Sequence, residues 1–379
     1  MAEGSAPTVT FGGSDELDLF RSTARHFLSD RLDLDVVREL MMSEEGFERG
    51  LWKEIADLGW TGLTIAEDHG GAGLGFLELS VVLEEMGRLL TPGPFLASSV
   101  LATTAIQEVA TEEQKATLLP PLASGQSIAT MALFESPRGW DLSQLDCLAG
   151  RDGNSWVIDG AKRNVLDGHL ADQLLVAART NGGVGLFVVE RSAPGVSVAQ
   201  IPVLDPTRRQ ASATFDSVRV DDTALLGGAT SEHAIVKTLA LGTIALALEQ
   251  VGGAHRCLEM SVDHAKTRFQ FGRAIGSYQA VKHRCAEMLL HVEHAKSAAY
   301  HAARITDNQD ELAIAAPLAG AVCSEAYLWA AGETIQIHGG IGFTWEHDAH
   351  LYLKRAMSSS LLLGDPRYQR VRLGDALGL

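Results

Sequence analysis

Apolar positions along this chain fall into three textures. Over roughly the first third they recur at three- and four-residue steps. Leu17, Leu19, Phe20, Ala24 and Phe27 share one helical face, and Trp52, Ile55, Ala56 and Leu58 share another that Gly59 stops. Residues 66–75 carry too much glycine for regular structure and read as a helix–helix loop. A helix over 77–90 follows, ended by Thr91-Pro-Gly-Pro94. A shorter one opens at Glu112-Glu113-Gln114 and closes at Pro120-Pro121.

Past residue 126 the period changes to short apolar runs, at 155–158, 173–178 and 184–189. Turn signals Arg151-Asp-Gly-Asn154 and Asn181-Gly-Gly183 separate them, which predicts strands. No helices alternate with these strands, so a small antiparallel barrel or sandwich is expected rather than a parallel sheet. After Ser231 the helical period returns in four long segments, about 233–264, 278–306, 310–337 and 346–363. Four such helices joined by short loops predict an antiparallel bundle. The expected fold is therefore α+β in three parts: an N-terminal helical domain over 1–125, a central β domain over 126–229 and a C-terminal four-helix bundle over 230–379.

Composition narrows the function classes. A chain of 379 residues with 46% apolar and 21% charged residues is long for one core and ordinary for a folded globular protein. A formal charge of −17 argues against a nucleic-acid surface. Any phosphate-bearing ligand must then meet local positive charge or a helix N-terminus. The four cysteines, Cys147, Cys257, Cys285 and Cys323, show no CxxC spacing, which suits a reducing compartment and suggests neither a metal site nor a disulfide framework. No basic-then-apolar leader opens the sequence and no uninterrupted apolar run reaches membrane-spanning length. The expectation is a cytoplasmic protein without a membrane span.

No P-loop, HExxH, GxSxG elbow or EF-hand loop is present. The GGAGLG run at 70–75 follows no strand and lacks the acidic residue that a dinucleotide fingerprint requires. Two later segments are more informative. In Arg268-Phe-Gln-Phe-Gly272, an arginine at a helix end offers a planar fork suited to a diphosphate, Gly272 lets the backbone turn, and Gln279 presents an amide near the next helix start. In Gln336-Ile-His-Gly-Gly340, consecutive glycines after a helix permit close backbone approach to a flat or charged ligand. Taken singly, these are equally a capping arginine before a helix hairpin and a plain helix terminator. Together they are far more specific.

The pattern R-x-x-F-G-x-x-I-x-x-x-Q followed by Q-x-x-G-G-x-G resembles the acyl-CoA dehydrogenase superfamily. Leu51-Trp-Lys-Glu-Ile-Ala-Asp-Leu-Gly-Trp60, Glu67, Gly70-Gly71 and Leu83-Glu-Glu-Met-Gly87 are similar to that family's helical domain, so the resemblance covers essentially the whole chain. It implies an FAD-dependent oxidoreductase acting on an acyl-CoA thioester, with an electron-transferring flavoprotein as acceptor. The family's flavin lies between subunits. The resemblance places Arg268, Phe271 and Gln279, with Gln336, Gly339 and Gly340, on the ADP portion of an FAD whose ring sits mainly on a neighbouring subunit.

The other half of the family's site departs from its pattern. The chemistry needs a carboxylate base near the substrate α-carbon. The late-segment position for it is Leu363, and the alternative on the first bundle helix is Gly242; neither can take a proton. The remaining nearby carboxylates are Asp365 and Glu249, which in its apolar run is either a buried acid or, the favoured reading, a helix-surface or interface residue. No catalytic residue is assigned. Where the family carries a flavin-contacting Thr and Ser this chain has Phe134 and Trp140, and a further Thr is replaced by Leu166. The expectation is an acyl-CoA dehydrogenase-like subunit that contributes the ADP-binding half of an inter-subunit FAD site. A homologous partner in a heterotetramer would supply the catalytic Glu. A homo-tetrameric, self-sufficient flavoenzyme with a displaced base and a flavin-free acyl-CoA-binding or scaffold protein are the alternatives.

Overall fold

The computed structural model describes residues 15–135, 142–228 and 230–379. Six helices form the N-terminal part: α1 (Asp15–Arg31), α2 (Leu34–Met42), α3 (Arg49–Asp57), α4 (Phe76–Arg88), then a π-helical stretch Phe95–Ala102 running into α5 (Thr103–Val109), and α6 (Glu112–Ala123). On α1 the inward stripe is Phe20, Ala24, Phe27 and Leu28. Phe20 and Phe27 set their rings edge-on to Trp60 at 6.5 and 5.3 Å. Leu19 lies about a quarter-turn off that stripe and is 70% exposed, against expectation. Gly59 ends α3 as expected, in a left-handed conformation. The α6 helix runs through Pro120 and Pro121 instead of stopping there. A proline loses one donor, but its carbonyl still accepts, here from the Ser124 amide at 3.0 Å.

The central part is one seven-stranded sheet, built from β1 (Ala129–Ala132), β2 (Leu148–Asp152), β3 (Ser155–Leu166), β4 (Gln173–Thr180), β5 (Gly183–Glu190), β6 (Val196–Ile201) and β7 (Gln210–Asp221). Its order is β1-β4-β2-β3-β7-β6, with β5 on β4. Most pairings are antiparallel, as expected, but β1 and the start of β2 pair parallel to β4, so the sheet is mixed. β5 takes one whole edge of β4, which leaves β1 and β2 to share the other. Neither reaches β4 through a hairpin, so no tight turn dictates their direction.

Then come α7 (Glu232–Thr267), the two-residue strands β8 (Phe269–Gln270) and β9 (Arg273–Ala274), α8 (Gln279–Arg304), α9 (Gln309–His338), α10 (Ala349–Ser359) and α11 (Pro366–Leu377). The four expected helices are present, and α11 is a fifth, opened by Asp365, whose carboxylate accepts from the Tyr368 amide at 2.7 Å. α8 runs against α9, with Cys323 on the Ala295 carbonyl and Arg284 paired to Glu333. α7 and α9 run parallel: Gln250 meets Ser324 at 3.0 Å, and farther along Ser261 meets Thr334 at 3.1 Å.

α7 is apolar on nearly every side because it is enclosed. Its glycines are points of contact, not breaks. Where α4 crosses α7, a Cβ on Gly87 would strike the Glu249 carbonyl and one on Gly252 the Glu84 carbonyl, so the two backbones touch. The stretches Glu232–Thr267 and Gln309–Phe343 are each long and apolar enough to cross a membrane by length and composition. Their apolar windows are nonetheless 89% and 61% buried against the rest of the chain.

One buried arginine joins the three parts. Arg355 of α10, 2% exposed, donates from Nε to Asp205 at 2.6 Å, from Nη1 to Glu249 at 2.5 Å, and from Nη2 to the Thr207 hydroxyl at 2.6 Å and the Leu90 carbonyl at 3.3 Å. Arg208 donates to the same Glu249 carboxylate. The helical part (Leu90), the β6–β7 loop (Asp205, Thr207, Arg208) and the bundle (Glu249, Arg355) thus share one ionic knot. Burial alone would raise the Glu249 carboxyl, but the two guanidiniums hold it below its ordinary value. Asp167, left-handed at φ 48° in the β3–β4 turn, is pushed up to about 7 by burial, against the pull of Arg208 and Arg355.

Arg355→Met leaves Asp205 without its ionic partner and Glu249 with Arg208 alone, and is expected to destabilise the protein by about 3–5 kcal/mol in urea unfolding; a loss below about 1 kcal/mol would contradict the knot. Because Asp167 has a raised folded pKa, its contribution is fully present below its unfolded value near 3.8 and is lost as pH rises to about 7. Asp167→Asn, which tolerates the same left-handed backbone, should remove that slope. The check is urea unfolding of both proteins at several pH values across the window.

Candidate functional site

Arg268 caps the C-terminus of α7, with its amide on the His264 carbonyl at 2.8 Å. The chain then turns through the β8–β9 hairpin at Phe271 (φ 52°) and Gly272 (φ 80°), leaving the Phe271 ring 92% exposed. Gln279 is the first residue of α8, whose N-terminus has no side-chain cap. Gly276, just before it, packs on the Ala265 carbonyl of α7, so α8 begins where α7 ends. Gln336 is exposed in the last turn of α9, and Gly339 (φ 66°) and Gly340 follow, with open space where their Cβ atoms would stand. Because α7 and α9 run parallel, both segments emerge at one end of the bundle, and His264 and His338 stack there with ring centroids 4.2 Å apart. All six sequence-predicted residues lie at that end, and all six are exposed.

The donor set fits the diphosphate and adenine end of FAD. Among the described residues no carboxylate pairs with the Arg268 guanidinium. The uncapped α8 terminus offers amides to an anion, Phe271 presents a bare ring face, and the Gly339–Gly340 backbone is open to close approach.

The opposite character holds where the family's base would stand. Leu363 is buried at φ 58°, and the amide of buried Gln369 donates to its carbonyl at 2.8 Å. A Cβ on Gly242 would strike Leu101 and lie 3.2 Å from a Leu363 methyl, so the two alternative base positions converge on one point. That point adjoins a cavity of about 30 Å³ lined by Leu101, Thr130, Phe134, Leu166, Leu239 and Leu363. Phe134 is fixed there by its own backbone, whose carbonyl accepts from the Arg163 amide at 2.7 Å, and by Glu135, which pairs with fully buried Lys162 at 2.5 Å. The Thr130 hydroxyl donates to the Leu166 carbonyl at 2.6 Å, holding β1 to the end of β3. Trp140 lies outside the described residues.

The two carboxylates considered as displaced bases are both engaged. Glu249 is not a surface or interface residue; it is 6% exposed and ion-paired to Arg208 and Arg355. Asp365 is the α11 cap. The partners of Glu249 escaped the sequence reading because they are 41 and 106 residues away. The His264–His338 contact escaped it too, since only the parallel course of α7 and α9 brings those rings together.

Comparison with known proteins settles the family. An acyl-CoA dehydrogenase N-terminal domain matches residues 14–126, a middle domain 130–218 and a C-terminal domain 233–378. The chain belongs to the acyl-CoA dehydrogenase family. Members of this family are FAD-dependent oxidoreductases. The chain is 33% identical to the acyl-CoA dehydrogenase IpdE2 of Mycobacterium tuberculosis over 357 residues, covering 93% of this chain and 94% of that protein. Among solved structures it is similar to a chain of the ChsE4-ChsE5 complex from Mycobacterium tuberculosis, with a TM-score of 0.90, 28% identity and coverage of 98% and 99%. It is also similar to an FAD-dependent dehydrogenase, with a TM-score of 0.88, 28% identity and coverage of 98% and 100%.

Replacing Leu363 by Glu puts a carboxyl against Leu101, Leu239 and Phe134 with room for little more than one water. The expected result is a loss of about 1–3 kcal/mol in unfolding free energy, with the new carboxyl titrating above the usual range. Thermal melts from acid to neutral pH check this, since the variant should recover stability as the pH falls.

Proposed function

We propose that this chain is the subunit of a heteromeric acyl-CoA dehydrogenase, of α2β2 type, that grips the ADP end of an FAD and carries no catalytic base. A homologous partner chain supplies the ring pocket and the Glu for α,β-dehydrogenation of an acyl-CoA thioester. The observation that carries this reading is the convergence of Leu363 and Gly242 on one narrow apolar cavity near the start of α7, while the open Arg268–Gly340 segments stand at the other end of that helix. A base at either position would act on the same point, and neither position has one. With Glu249 and Asp365 occupied structurally, a displaced base among those two carboxylates loses its support.

When bound, FAD supplies the hydride acceptor. The residues of this chain bind and orient it. The Arg268 fork and the α8 N-terminus meet negative phosphate charge that the overall −17 balance repels elsewhere. Gln279 and Gln336 donate amide hydrogens, the Phe271 ring covers a flat face, and Gly339 and Gly340 let the backbone close in. Phe134 and Leu166 line this chain's own ring-pocket position, which narrows it, and do not face the ring of the flavin gripped at Arg268. The domain limits 1–125, 126–229 and 230–379 are kept as part of this reading. So are an electron-transferring flavoprotein as acceptor and a cytoplasmic location, the latter supported by four free cysteines.

The test is to purify the chain alone and together with its co-expressed genomic neighbour, then measure bound flavin and acyl-CoA-dependent flavin bleaching. Flavin and activity are expected only in the complex; full occupancy and full turnover in the lone chain would sink the reading. Within the complex, Arg268→Ala should weaken flavin retention about tenfold or more, the loss of one charge-assisted hydrogen bond. Fluorescence of released FAD on dilution reads this directly.

A further inference from the structure

Three imidazoles from three separate elements form one stack at the open end of the bundle. His338, the last residue of α9, lies between His264 in the last turn of α7 and His347 in the loop entering α10. Its ring centroid is 4.2 Å from each neighbour, at interplanar angles of 31° and 48°. None of the three is among the six candidate flavin contacts. Yet His264 stands one turn before Arg268, and His338 immediately precedes Gly339. The stack is the direct side-chain link between the two segments.

The hydrogen bonds fix where protons sit on the neutral rings. His338 Nδ1 lies 2.7 Å from the Thr334 carbonyl and therefore donates to it, leaving Nε2 bare. The Ala349 amide donates to His347 Nδ1 at 3.1 Å, so neutral His347 carries its proton on Nε2. A proton added to His347 Nδ1 would face that amide head-on and undo the start of α10. Stacked rings also present faces and not converging lone pairs, and among the described residues no His/Cys/Asp/Glu group is placed to hold a metal.

The groups around the stack disfavour charge. Arg38 of α2 donates to the His347 carbonyl at 3.1 Å and to Asp348 at 2.8 Å. Arg268 lies beside His264, and His350, with Lys354 behind it, completes the α10 side. Against these cations Asp348 is, among the described residues, the carboxylate that acts on His347. Burial moves all three rings below the ordinary histidine value, His338 to about 4. At neutral pH the stack is uncharged.

We propose that His338 is a positioning residue for the flavin-gripping segment. Clamped between the neutral rings of His264 and His347, it holds Gly339 and Gly340 in register with the helix end that carries Arg268, and a proton entering the stack releases that register. This rests on the assignment of those segments to FAD. The consequence is that the complex holds its flavin at neutral pH and loses it on mild acidification, through repulsion between adjacent imidazoles and not through unfolding.

Two measurements separate this clamp from the flavin assignment. The first is FAD dissociation from the purified complex, read by flavin fluorescence on dilution. Retention should fall about tenfold or more between about pH 8 and about pH 5. His264→Phe keeps an aromatic neighbour but removes a titrating one and should flatten that profile. His338→Ala should weaken retention at pH 8 and abolish the pH dependence. The second is hydrogen exchange of the 335–344 segment, corrected for intrinsic rates, which needs no flavin. Wild-type protection should drop on acidification, and in His264→Phe it should not. Identical pH profiles in wild type and both variants, or exchange in 335–344 that ignores pH, would overturn the clamp. A complex with no flavin at pH 8 would instead defeat the flavin assignment, and the exchange data would still decide the clamp.

Discussion

The guanidinium of Arg355 sits where the N-terminal helices, the β6–β7 loop and the bundle meet, and ties them together. Removing such a group from water costs several kcal/mol, which only complete pairing offsets. Here the pairing is nearly complete: two carboxylates, a hydroxyl and two backbone carbonyls surround one side chain that is 2% exposed. An apolar contact at this junction would tolerate sliding. A hydrogen-bonded ion network does not, because small displacements leave buried charge unsatisfied. Fixing Leu90, the Asp205–Arg208 loop and α7 to one another also fixes what lies between them, including the Leu101–Leu363 cavity.

That cavity and the open end of the bundle are opposites in physical character, and the contrast gives the functional reading its direction. One is apolar, narrow and about 30 Å³. The other exposes an arginine, a bare phenylalanine ring, an uncapped helix terminus and two glycines with open space above them. Phe271, 92% exposed, leaves a whole ring face free to meet a flat ligand. Filling one half-site while leaving the other open suits a protein whose ligand straddles a boundary between chains.

The helices and strands carried strong periodic signals, and most were legible: α7, α8 and α9 fall within a few residues of their expected limits, and β3, β4 and β5 contain the three expected runs. Where local reading failed, the cause was non-local. The parallel pairings of β1 and β2 with β4 depend on crossing connections, and α6 runs through Pro120-Pro121 at the loss of two donors in its last turn, with the Pro120 carbonyl still accepting from Ser124. The glycines of α7 serve as helix-crossing contacts, which only the packed structure reveals. Glu249 reads as a surface or interface carboxylate because acids are seldom buried unless paired, and its partners lie 41 and 106 residues away.

The residue identities alone determined the family resemblance, the three-part order of helix, strand and helix, the six candidate flavin contacts and the absence of a base at Leu363 and Gly242. These depend on local spacing and side-chain chemistry, which a sequence states outright. Only the tertiary structure decided that the two base positions are one place, that Arg208 and Arg355 hold Glu249, and that His264, His338 and His347 form a stack. Each of these is a meeting of residues far apart in the chain. It is set by how α4, α7, α9 and α10 pack, and packing is a property of the whole fold that no local pattern encodes.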